Sequence, residues 1–93
     1  MKIIDKDQIQ AQKLNQKEVV LLHLLYNGYI TNAQSHEYYG YRHLPSIIRD
    51  LKENFGVTFD TIKQKGLNRF KQKTDFVEYH ITNPQIYRGL LYE

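Results

Sequence analysis

The stretch Asn15–Phe55, NQKEVVLLHLLYNGYITNAQSHEYYGYRHLPSIIRDLKENF, decides the fold, because it encodes three helices with stop signals between them. Asn15 followed three residues later by Glu18 fits a capping box, in which each side chain satisfies the other residue's exposed backbone N–H. Val19, Val20, Leu22, Leu24 and Leu25 then cover more than one helical face, which places this first helix at the centre of the domain. Asn27-Gly28 ends it, since both residues tolerate the left-handed conformation common at helix C-termini. Thr31 with Gln34 repeats the cap pattern and opens a second helix over Asn32 to Tyr39, which Gly40 stops. A third helix follows almost at once, with Pro45 in its first turn, where no amide partner is required. Leu44, Ile47, Ile48 and Leu51 form one apolar stripe along it, and Asn54 is its expected left-handed cap.

Beyond Phe55 the period changes from helical to alternating. Val57 and Phe59 alternate with Thr58 and Asp60, and Val77, Tyr79 and Ile81 alternate with Glu78 and His80. Such alternation, rich in β-branched and aromatic residues, predicts half-buried strands over Val57–Ile62 and Phe76–Ile81. They pair as a hairpin with a long basic loop, Lys63 to Asp75, and Asn83-Pro84 closes the second strand because proline cannot donate to a ladder. The expected class is therefore α+β: a winged helix-turn-helix of three helices followed by a two-stranded β-hairpin wing. Residues 15–82 form that domain. Residues 1–14 are an N-terminal arm, extended or with an extra turn of helix. Residues 83–93 are a tail whose Ile86, Tyr87, Leu90 and Leu91 have helix-like spacing.

Composition narrows the function classes. The 93 residues make one domain, with 41% hydrophobic and 25% charged residues, ordinary for a globular protein. There is no cysteine, which removes disulfides, thiolate metal sites and cysteine nucleophiles together. The longest apolar run, Val19 to Leu25, is broken by His23 and falls well short of the roughly 20 residues of a membrane span. No signal-like segment opens the chain, so a cytoplasmic location and no membrane partner are expected. His23, His36, His43 and His80 lack metal-ligand spacing, and no glycine-rich phosphate loop or Ser-His-Asp arrangement is present. Neither enzyme, cofactor nor metal is expected. Tyrosine chemistry of the recombinase kind requires several cations around the nucleophile on a larger scaffold.

The string ITNAQSHEYYGYRHLPSIIRDLKENFGVTF resembles a family of small winged helix-turn-helix domains common in bacteriophages and prophages. The matching positions are Ile30-Thr31, Leu44, Ile48, Asp50-Leu51, Lys52, Phe55 and Val57, with Val77 to Ile81 resembling the closing wing strand. The resemblance implies duplex DNA binding in transcription control or excision. Two positions depart from the pattern: Ile47 replaces a frequent arginine, and Asn54 a usual glycine.

The charge distribution agrees with a polyanionic partner. Residues 1–40 carry four lysines and four acids, whereas residues 41–93 carry nine basic and six acidic residues and hold the whole net charge of +3. Lys63, Lys65, Arg69, Lys71 and Lys73 lie in the acid-free segment Thr61–Thr74, and a local field of one sign attracts polyanions. The plain alternative for that segment is a solvated loop. Candidate DNA contacts are Arg42, His43, Ser46 and Arg49 on the third helix, reading bases, and Lys63, Lys65, Asn68, Arg69, Lys71 and Lys73 in the wing, neutralising phosphates. The alternative partner is a host protein bound and inhibited by the same scaffold. Eight tyrosines favour that reading, since tyrosine is enriched at protein interfaces. A homodimer paired through the tail is also expected, the alternative being a tail folded back over the first helix.

Overall fold

A computed structural model describes residues 3–67, 70 and 73–87, the side chains of Leu67, Lys73 and Thr74 excepted. The protein is α+β, with four helices and a three-stranded antiparallel sheet among these residues. The elements run α1 (Lys6–Ala11), α2 (Gln16–Asn27), β1 (Tyr29–Thr31), α3 (Asn32–Tyr39), α4 (Leu44–Phe55), β2 (Phe59–Leu67) and β3 (Lys73–Ile81), followed by a 3₁₀ turn, Pro84–Ile86. In the sheet the order is β1-β3-β2.

The local signals act largely as the sequence predicts. Asn15 accepts a hydrogen bond from the Glu18 N–H at 2.9 Å, although no reciprocal bond from Glu18 completes the box. At Thr31 both halves form, each at 3.1 Å: the Gln34 N–H donates to the threonine hydroxyl and the Thr31 N–H to the Gln34 amide oxygen. Gly28 and Gly40 end their helices at φ +85° and +73°, angles costly for any residue with a Cβ.

The differences arise where pairing is non-local. The N-terminal arm forms the short helix α1, and Ile4 is buried, its N–H donating to the Tyr39 hydroxyl at 3.4 Å. β1 was not foreseen: three residues carry no periodic signal, and only pairing of Tyr29, Ile30 and Thr31 with His80, Tyr79 and Glu78 makes them a strand. The third helix, α4, runs past Asn54 to Phe55, and the left-handed cap is Gly56 at φ +68°. Val57 precedes β2 rather than opening it; its buried side chain joins the core and its N–H donates to the Leu51 carbonyl at 3.2 Å. The long basic loop is also corrected. β2 and β3 continue in register to Leu67↔Lys73, so Lys63, Lys65 and Lys73 stand on strands.

The core lies between α2, α4 and the sheet. Val20, Leu21 and Leu24 of α2 meet Leu44, Ile47, Ile48 and Leu51 of α4, with Ile30 and Val57 completing the cluster. Phe59, Tyr79 and Ile81 pack against it from the root of the hairpin. Asn83 ties that root to the helices: its side-chain oxygen accepts from the Thr58 N–H at 2.9 Å, and its amide donates to the Gly56 carbonyl at 3.1 Å. The tail turns inward at Tyr87, which packs on the core and donates its hydroxyl hydrogen to the Phe55 carbonyl. Leu90 and Leu91 lie outside the described residues.

Leu51 is fully buried on α4, and replacing it with alanine leaves a cavity the neighbouring side chains fill only in part. Leu51→Ala is expected to cost about 2–5 kcal/mol in urea unfolding. A loss below about 1 kcal/mol would mean that α4 is not seated on α2 as described.

Candidate nucleic-acid interface

Burial of one side of α4 dictates what its other side offers. With Leu44, Ile47, Ile48 and Leu51 turned inward, the 3.6-residue period leaves Ser46, Arg49 and Glu53 on the outward side. Arg42 and His43 stand at its N-terminal approach. Arg42, His43, Ser46 and Arg49 are all exposed, and none forms an ion pair with a described residue. Asp50 does have a partner: Lys17 of α2, 3.6 Å away, across an open groove of about 350 Å³ that Ile47 also lines. Ile47 itself is buried. An apolar residue at this position therefore takes nothing from the exposed face.

The connection ahead of α4 is held by a residue that the sequence did not mark. Ser35 is buried on α3; its hydroxyl donates to the Tyr41 carbonyl at 3.1 Å, and its own carbonyl accepts from the Tyr41 N–H at 3.2 Å. These two bonds fix the turn from Gly40 into α4 and hence the aim of Arg42 and His43. A serine inside a helix gives little sequence signal, because its role depends on a partner beyond the turn.

Lys63 and Lys65 are exposed on β2. They share the side of the hairpin that carries Phe59 and Thr61, since alternate residues lie on one face. Register also shows what a linear charge count misses. Asp75 lies directly opposite Lys65, so the outer hairpin is less uniformly positive than the acid-free run suggests. Lys73 opposes Leu67. Asn68, Arg69 and Lys71 lie outside the described residues. The two candidate groups occupy separate elements that meet at the hairpin root, where the Lys52 ammonium lies 5.9 Å from the Phe59 ring centroid. Among the described residues no group of three His, Asp or Glu side chains converges to hold a metal ion, and no helix is long and apolar enough to cross a membrane.

Behind α3 sits a buried histidine. His23 is fully buried, with Nδ1 2.7 Å from the Tyr39 hydroxyl and Nε2 without a hydrogen-bond partner. Burial pushes its pKa below the usual histidine value, and the interaction with the Gln34 side chain offsets this only in part. Tyr39 and Tyr41 stack with centroids 5.8 Å apart, and burial raises the pKa of both hydroxyls.

No family model matches the chain, and no curated protein or solved structure matches it either.

The His23 environment makes stability depend on pH in a defined direction. The unfolded chain takes up a proton near the ordinary value of 6.5, whereas the buried ring resists until lower pH. Stability is thus fully present above about 6.5 and is lost as pH falls towards the folded-state value, by up to about 1.4 kcal/mol per pH unit. Urea titrations at about pH 7.5 and about pH 5.5 are expected to show a smaller acid loss in His23→Phe than in wild type. Equal losses would place the pH dependence elsewhere.

Proposed function

We propose that this domain is a winged helix-turn-helix that binds duplex DNA, with the outward side of α4 in a major groove and the β2–β3 hairpin along the neighbouring backbone. The observation carrying the reading is that Ser46 and Arg49 on the outward side of α4, with Arg42 and His43 just ahead of it, are exposed and form no ion pair with a described residue. Arginine bridges guanine O6 and N7, and serine or histidine donates to a base or phosphate. The element order also supports it: a central helix, a short strand, two helices around a tight turn, then a hairpin. By resemblance the protein belongs with phage and mobile-element factors for transcription control or excision.

A second reading rests on the sheet's other face. Tyr29 stacks on His80 with centroids 5.1 Å apart, Glu78 accepts from His80 at 3.0 Å, and Ile62 and Phe76 are each 40% exposed. An aromatic and aliphatic surface holding acids suits a protein partner better than phosphates, consistent with a scaffold that inhibits a host protein.

Binding to duplex DNA at several salt concentrations separates the two readings. If Lys63, Lys65, Arg69, Lys71 and Lys73 each neutralise a phosphate, log K should fall with log salt at a slope of about −4 to −5. Alanine at all five positions should flatten that slope and weaken every sequence alike; an unchanged slope removes the hairpin from the interface. Ser46→Glu places a carboxylate on the outward side of α4 and leaves the buried stripe intact. Specific binding should collapse while the circular dichroism spectrum stays unchanged. Retained affinity would transfer the function to the second reading.

A further inference from the structure

One side of the β2 backbone has no partner strand among the described residues. The sheet order β1-β3-β2 puts β2 at an edge, and the strand is 9 residues long. The Thr82 N–H donates to the Thr58 carbonyl, so the even-numbered residues turn their backbone groups towards β3. The N–H and C=O groups of Phe59, Thr61, Lys63 and Lys65 therefore point away from the sheet. Residues 60–65 are all exposed, including Ile62 at 40%. Neither DNA contact by side chains nor a partner on the sheet face uses these backbone groups.

An open edge is a template for a further strand, and a second copy of β2 fits this one in a single register. A two-fold axis normal to the sheet keeps each face on its own side, so antiparallel self-pairing must centre on one residue. Centring on Asp60 or Lys63 sets like charges directly opposite each other, which is destabilising. Centring on Gln64 sets Lys63 against Lys65. Centring on Thr61 sets Asp60 against Ile62 and shortens the ladder to residues 59–63. Centring on Ile62 pairs residues 59–65: Ile62 meets Ile62, Thr61 meets Lys63, Asp60 meets Gln64 and Phe59 meets Lys65. This register sets no like charges directly opposite, gives each outward N–H and C=O a backbone partner, and covers the apolar side chain at its centre. Lysines on an edge strand ordinarily discourage pairing; here they stand opposite a hydroxyl and a ring.

We infer that two copies of this chain join β2 to β2 across a two-fold axis at Ile62, forming one continuous sheet. The inference goes beyond the DNA-binding reading and does not require it. The joined sheet carries Lys63 and Lys65 of both copies on one side, the side that packs on the helices through Phe59 and Tyr79. A polyanion approaching that side meets the lysines of both copies in one strip.

The chain has no cysteine, so one introduced thiol per chain reports the register. Opposed residues of the kind at this axis have Cα atoms about 4.5 Å apart, within reach of a disulfide. Ile62→Cys is expected to give a disulfide-linked dimer under mild oxidation. Asp60→Cys and Gln64→Cys each lie about 13 Å from the same residue of the other copy, at about 3.3 Å per residue. They should cross-link only when mixed with each other. Sedimentation equilibrium of the full chain should show a dimer that dissociates on dilution. Ile62→Lys, which sets two ammonium groups against each other at an exposed position, should be monomeric with an unchanged circular dichroism spectrum. Wild type that stays monomeric up to about 1 mM, or Ile62→Lys that dimerises like wild type, overturns the interface. Asp60→Cys that cross-links alone as fast as Ile62→Cys overturns it too, and this comparison decides the matter should Ile62→Lys misfold. All of these measurements are made without DNA, so their outcome is separate from that of the DNA-binding reading.

Discussion

Burial of one side of α4 against α2 is the constraint on which the rest of the molecule depends. Leu44, Ile47, Ile48 and Leu51 have no other place to go, and removing their apolar area from water stabilises the domain by roughly 1.5–3 kcal/mol for each fully buried side chain. Once that stripe is fixed, helical geometry leaves Ser46 and Arg49 outward. The surface proposed to meet DNA is therefore the geometric complement of the core. This is why the isoleucine at position 47 contributes to stability rather than to the exposed face.

The sheet extends the same logic in the other direction. Its root is part of the core through Ile30, Phe59, Tyr79 and Ile81, and Asn83 and Tyr87 bind the end of α4 to the strands that follow. Its outer half leaves the core behind and is held mainly by the β2–β3 ladder. Ile62 and Phe76 are exposed on the opposite face.

Legibility in the sequence divided along the range of the interactions. Caps at Asn15 and Thr31 and the glycine stops at Gly28 and Gly40 are satisfied within four residues, and each was readable. β1 was not, since its partner strand lies about fifty positions away and three residues carry no period. The outer strands were missed for a related reason: Lys63, Gln64, Lys65 and Gly66 are exposed or partly exposed, so no apolar alternation marks them, and only their pairing makes them strands. Asn54 tolerates the left-handed region, but Gly56 reaches it at lower cost and takes the cap. The outward placement of Ser46 and Arg49 could be read from the helical period alone. The opposition of Asp75 to Lys65, and the hold of Ser35 on the turn, required the fold.

The central claim is that DNA meets the outward side of α4 and the basic side of the hairpin. Titrating isotopically labelled protein with a short random duplex at low salt, and following backbone amide chemical shifts by NMR, tests it most directly. The expected shifts cluster at Arg42 to Arg49 and at Lys63 to Lys65, with Tyr29, Glu78 and His80 unmoved. Shifts confined to the Tyr29–His80 face, or no shifts at all, would contradict the account.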